Sequence, residues 1–144
     1  MAGAVRFLEI LSALVRHEVA FIVVGGVAAV LEGAPVMTFD VDVVYARDPE
    51  NNQRLLAALR ELNARYKDPG GRSIVPDAER LQSMNVHLLE TDLGPLDLPV
   101  RLRGDLEYPA LLERSVGHDL GGFAVTVLAI DAVIECKRFA NRDN

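Results

Sequence analysis

The sequence has little with which to cross-link itself. Cys136 is the single cysteine among 144 residues, so no disulfide can form within the chain, as suits a reducing compartment. No apolar stretch is long enough for a bilayer. The longest, Val19 to Leu31, falls short of the roughly 20 residues a spanning helix needs. Arg6, Glu9, Arg16, His17 and Glu18 interrupt the apolar core that a signal peptide would require. The expected location is therefore cytoplasmic, with no membrane partner. Positive charge is scarce as well. Fifteen lysines and arginines face 21 acids, for a net charge of −6, which argues against a domain that grips nucleic acid by its general field. His17, His87 and His118 lie far apart with no zinc-ligand spacing. Gly25, Gly26 and Gly33 do not make the G-x-G-x-x-G of a dinucleotide-binding turn. No repeat, low-complexity tract or linker divides the chain, so residues 1–144 read as a single domain.

What is present is half hydrophobic and a quarter charged, the balance of an ordinary globular domain. Val5, Leu8, Leu11, Leu14 and Val15 recur at helical spacing and predict a helix over about 3–18. Ala20 to Val24 reads as a buried strand that stops at Gly25-Gly26. Val27 to Leu31 reads as a short helix broken by Gly33-Ala34-Pro35. Thr38 to Tyr45 alternates like a strand, and Pro49 opens a helix that buries Leu55, Leu56, Leu59 and Leu62. Residues 68–80 read as a loop with a turn of helix near Asp77–Gln82. Val86 to Glu90 and Leu96 to Leu102 read as a hairpin. A helix over Tyr108–Arg114, a strand over Phe123–Leu128 and a helix over Ile130–Ala140 close the chain. This order predicts an α+β domain, a mixed sheet with helices packed on it.

Asp40-Val41-Asp42 carries the most chemistry. On a strand, residues i and i+2 face the same way about 6.6 Å apart, so two carboxylates converge on one cation. Phe39, Val41 and Val43 would anchor the other face. Asp97, between Leu96 and Leu98, repeats the pattern on a later strand. If the two strands pair, three carboxylates meet, and something positive must relieve them. Mg²⁺ suits them: it takes oxygen ligands, commonly one or two carboxylates plus substrate phosphates, and two such ions can clamp a phosphoryl transfer. Gly25-Gly26, between a strand and a helix, lets backbone approach a phosphate closely. Each piece alone is commonly just a polar edge or a tight turn; the combination points to a site.

The residues Val24-Gly25-Gly26, Asp40-Val41-Asp42-Val43 and Leu96-Asp97-Leu98 resemble the motifs of the DNA polymerase beta-like nucleotidyltransferase superfamily. Within it, the chain looks most like small bacterial domains related to abortive-infection and toxin–antitoxin nucleotidyltransferases. That likeness runs through Thr38 to Val44, Thr91 to Leu98, and Val127-Leu128-Ala129-Ile130-Asp131 to Lys137-Arg138. The resemblance implies a nucleotidyltransferase fold that binds ATP or another nucleoside triphosphate. It also implies two Mg²⁺ ions, with Mn²⁺ as the alternative, and transfer of a nucleoside monophosphate to an acceptor hydroxyl with loss of pyrophosphate. Asp40 and Asp42 would hold both metals. Asp97 would hold the second and help activate the acceptor. Two positions differ from the pattern: Gly26 stands where many relatives have serine, and Val36-Met37 where relatives often carry arginine.

Lys137 falls on the apolar stripe of its helix with Ile130, Val133, Ile134 and Ala140. It is either a snorkelling lysine or a cation aimed at triphosphate. Thr38 shares the aspartate face and is a candidate phosphate ligand. Arg72 is a candidate nucleotide contact, Tyr45 and Tyr108 are candidate base-stacking groups, and Cys136 reads as a packing residue. With no second domain to hold an acceptor, the expected acceptor is macromolecular, tRNA or protein. The competing expectation is a catalytically weak or inactive nucleotide- or partner-binding module of a toxin–antitoxin or defence pair. A homodimer is compatible with both.

Overall fold

The apolar stripe near the N-terminus forms α1 (Phe7–Arg16), which buries Ile10, Leu11, Ala13 and Leu14 and leaves Leu8 exposed. The structure, a computed structural model, describes residues 6–34 and 40–142. After α1 come β1 (Phe21–Val24), α2 (Gly25–Leu31), β2 (Val41–Tyr45), α3 (Pro49–Glu61) and β3 (Arg65–Tyr66). Then follow α4 (Ala78–Ser83), β4 (Val86–Thr91), β5 (Gly94–Pro99), α5 (Tyr108–Leu112), β6 (Ser115–Asp119), β7 (Ala124–Leu128) and α6 (Ile130–Arg142). The seven strands form one mixed sheet in the order β3-β4-β5-β2-β1-β7-β6. The expected α+β mixed sheet is therefore the fold observed, with β3 and β6 added at its edges.

The sheet has two unlike faces. On one, Val23, Val41, Val43, Tyr45, Leu89, Leu96, Leu98 and Val127 pack with residues of α1, α3 and α4 into the main core. Burying each such leucine or valine contributes roughly 1.5–3 kcal/mol before conformational entropy is counted. On the other, Ile22, Val24, Val44 and Leu128 lie under Leu111 of α5 and Ala132 of α6.

Polar groups tie the layers. Asp48 caps α3 by accepting from the Asn51 N–H at 3.1 Å, and Pro49 takes the first turn, where its missing N–H costs nothing. The buried Asn51 side chain bonds the Ala20 N–H, the Ala20 carbonyl and the Ala46 carbonyl, locking α3 to both β1 and β2. His87 is fully buried between two tyrosines. The Tyr45 hydroxyl donates to the Leu81 carbonyl at 2.9 Å, so at His87 Nε2 (3.1 Å) it accepts, and Nε2 carries the proton. Nδ1 then accepts from the Tyr66 hydroxyl at 2.8 Å. Tyr45 is thus a core residue and not a surface for a base. Burial, then the Arg47 charge, pushes the imidazole down to about 4.

Candidate functional site

Strand register assembles the site. β1 and β2 run antiparallel with Val24 opposite Asp42, and β2 and β5 run parallel with Asp42 opposite Asp97. In the β4–β5 hairpin Leu88 lies opposite Asp97. Leu88, Asp97, Asp42 and Val24 therefore form one row across four strands, on the face away from the main core. Adjacent strands are about 4.8 Å apart, so the two aspartates are immediate neighbours. Lys67, just beyond β3, donates its N–H to the Leu88 carbonyl and takes the next place in that row. Its Nζ lies 3.8 Å from Asp97 Oδ1.

Asp40 is half-buried and lies one residue before β2, not within it. Its charge bears on both Asp42 and Asp97. Among the described residues, no group of three histidine, cysteine, aspartate or glutamate side chains is gathered to hold a metal ion. The tight pair is Asp42 with Asp97. Burial pushes the Asp42 carboxyl up to about 7, with further upward pressure from Asp97 and Asp40 and relief from Lys67. Burial also raises Asp97, against the Lys67 charge that lowers it. The interaction between the two carboxyls raises Asp42 and lowers Asp97. Asp97 Oδ1 is buried without a hydrogen-bond donor. Two crowded carboxylates, one with an orphaned oxygen, are a donor set that fits a hard divalent cation.

Gly25 is required beside Asp42. Its φ is +67°, and a Cβ there would fall well inside van der Waals distance of Asp42 Oδ2. α2 begins at Gly25 itself, two residues before the expected start, and no side chain caps it. Gly25, Gly26 and Asp42 line a cavity of about 380 Å³ with Val24, Ala29 and Pro99. Its wall is completed by Leu102, Leu128 and, from α6, Val133, Cys136 and Lys137. Lys137 is exposed at this wall, on the same cavity as Asp42. Cys136, part-buried, lines the cavity too. α6 is held in place by Glu32 at the end of α2. Its Oε1 accepts the Ile130 N–H at 3.0 Å and its Oε2 pairs with His118.

The structure thus brings together Asp42, Asp97, Gly25, Gly26 and Lys137, with Asp40 close by. Thr38 lies outside the described residues. Arg72 is turned away into a double contact with Asp68, and Tyr108 packs near Ile22 and Val44. Sequence reasoning missed Lys67. The acidic Glu90 opposite Arg65 is its nearest sequence hint, since that pairing puts Lys67 beside Leu88.

No family profile matches the chain, and no curated protein does. Solved structures do. One is a Thermotoga maritima protein provisionally assigned as a nucleotidyltransferase, at TM-score 0.61 and 18% identity, over 94% of this chain and 85% of that one. Another is the lincosamide antibiotic adenylyltransferase LnuA with lincomycin bound, at TM-score 0.60 and 12% identity, over 90% of this chain and 82% of that one. At these identities the likeness is one of fold: the chain has the fold of these nucleotidyltransferases.

Proposed function

We propose that this chain is a Mg²⁺-dependent nucleotidyltransferase that moves a nucleoside monophosphate from a nucleoside triphosphate to an acceptor hydroxyl. The observation that carries the reading is the register that sets Asp97 beside Asp42, which lines a cavity together with Gly25, Gly26 and Lys137. The fold shared with nucleotidyltransferases supports it.

Asp42 and Asp97 are the residues that would hold Mg²⁺, with Asp40 contributing a ligand or charge. Bound there, the ion would neutralise the carboxylates and polarise the triphosphate. The chain's own groups do the rest. Gly25 and Gly26 bring backbone to the phosphates without side-chain obstruction, and Lys137, on the same cavity, offsets their charge. The apolar wall of Leu102, Leu128 and Val133 takes the flat face of a base and excludes water. Asp97, farther along the row, faces the arriving acceptor and takes its hydroxyl proton. Thr38 belongs to the same proposed phosphate site. ATP and other triphosphates are cytoplasmic substrates, which makes the cytoplasm the proposed location.

A second reading is a nucleotide- or partner-binding module with weak catalysis, one half of a toxin–antitoxin or defence pair. Gly26, which offers phosphate no hydroxyl, and Lys67, which already pairs with Asp97, favour it. Incubation with each α-labelled triphosphate, Mg²⁺ and cell extract separates the two. The leading reading expects a labelled acceptor that disappears with Asp97→Asn; no label from any triphosphate would leave only the second.

A further inference from the structure

Among the described residues, the site-bearing face of the sheet is covered over only part of its width. Over β1, β2 and β7 it lies beneath α5 and α6. Over β4 and β5, among the described residues, Val86 and Leu88 stay 43% and 47% exposed, and Met84 just before them is exposed too. Val86 pairs with Pro99, which lines the cavity, and Leu88 pairs with Asp97. An apolar strip therefore leads from open solvent to the carboxylate that faces the acceptor.

Charge decides what suits that strip. Among the described residues of the β4–β5 half, Glu90 and Asp97 share the face with Lys67, already paired with Asp97, while the exposed Lys137 belongs to the cavity side. The arginines of the flanking segments are also held by acids: Arg65 faces Asp92, and Arg101 bonds Glu107. A polynucleotide needs lysines and arginines free to neutralise phosphates. This surface offers carboxylates and exposed aliphatic side chains instead, on a chain of net charge −6.

Building on the transferase reading above, we propose that the acceptor is a partner polypeptide, an apolar and basic stretch lying on the open β4–β5 face with its hydroxyl side chain at Asp97. Its apolar residues cover Val86 and Leu88, and its basic residues meet Glu90 and the aspartates. The side-chain oxygen bonds to the α-phosphorus. The bond from that phosphorus to the bridging oxygen breaks, and pyrophosphate leaves with the electron pair. The hydroxyl proton passes to Asp97 and then to water. The product is a phosphodiester between the nucleoside and a serine, threonine or tyrosine.

The test uses the full chain with α-labelled triphosphates, Mg²⁺ and two defined acceptor pools: protein-free total RNA and nuclease-treated total protein. The expected label is removed by protease, resists ribonuclease, and falls at least tenfold with Leu88→Ser and with Val86→Ser, which remove the apolar contact and leave the charge unchanged. Both variants should keep the wild-type melting temperature and wild-type calorimetric binding of the triphosphate. Label in RNA overturns the proposal, as does protein label unchanged in both variants. Label confined to the 15.7 kDa chain itself makes a second copy the occupant and also overturns it. Triphosphate binding without label in either pool overturns the acceptor assignment alone. Absence of triphosphate binding overturns the transferase reading beneath it.

Discussion

Over β1, β2 and β7 the site-bearing face lies beneath α5 and α6, and the cavity there has Gly25, Asp42 and Lys137 in its walls. Over β4 and β5 the same face carries Asp97, Lys67 and exposed aliphatic side chains. One row of residues runs through both regions, from Val24 to Lys67, and it changes character at the Asp42–Asp97 pair. The enclosed half suits a small ligand held from several sides. The open half suits a large one laid across a surface. In the proposed reaction the enclosed half takes the donor and the open half the acceptor.

The largest effect should come from closing the contact that joins the two halves. Gly25→Ala puts a methyl group against Asp42 Oδ2 at a positive φ. Strain and clash together should cost about 2–4 kcal/mol in urea denaturation. Triphosphate affinity should fall at least tenfold by calorimetry. A variant that binds and melts like the parent would detach Gly25 from the site.

The same truncation in each half should then read out their difference in packing. Leu128→Ala, beneath α6, should cost about 2–5 kcal/mol in urea denaturation. Leu88→Ala, on the open strip, should stay within about 0.5 kcal/mol of the parent. Equal losses would mean that the strip is covered.

Protonation gives a finer test. Asp42 titrates higher in the fold, at about 7, than its ordinary 3.8, so the folded chain binds the extra proton. Its contribution is full below pH 3.8 and is lost as pH rises through about 7. His87 does the reverse. Depressed to about 4 from 6.5, it contributes fully above pH 6.5 and loses that contribution as pH falls through about 4. In metal-free buffer the two slopes oppose between pH 4 and 6.5, each on the order of a few kcal/mol at most. Stability of the parent should be nearly flat there, whereas Asp42→Asn should grow more stable as pH rises. Identical profiles would contradict the burial of Asp42.

Lys67→Met should change stability by no more than about 1 kcal/mol, because the lysine is part-exposed and its pair is solvent-screened. Its larger consequence should be a further rise in the Asp97 pKa, visible by NMR titration.

The sequence made the enclosed half more legible than the open one. Alternation in β2 and β5, and Gly25-Gly26 after an apolar strand, marked the aspartates and the turn beside them, because period-2 burial is written locally. The parallel pairing of β2 with β5 is not local: it follows from how α3 and the hairpin pack, so Asp97 beside Asp42 had to be conditional. β6 was missed because Ser115-Val116-Gly117-His118-Asp119 is a polar edge strand without buried alternation. β3 is only two residues long, and Lys67 owes its place to that short pairing. Asp40 was placed on the strand by spacing, whereas β2 begins at Val41. α1 buries Ile10 and leaves Leu8 exposed, a choice between overlapping helical stripes that packing against α3 makes.

The most direct measurement of the central claim is calorimetric titration of a nucleoside triphosphate into the full chain with and without Mg²⁺, repeated with Asp42→Asn. The account predicts that Mg²⁺ tightens binding at least tenfold and that Asp42→Asn removes this gain while keeping the fold. Binding that ignores Mg²⁺, or a gain that survives the substitution, would contradict it.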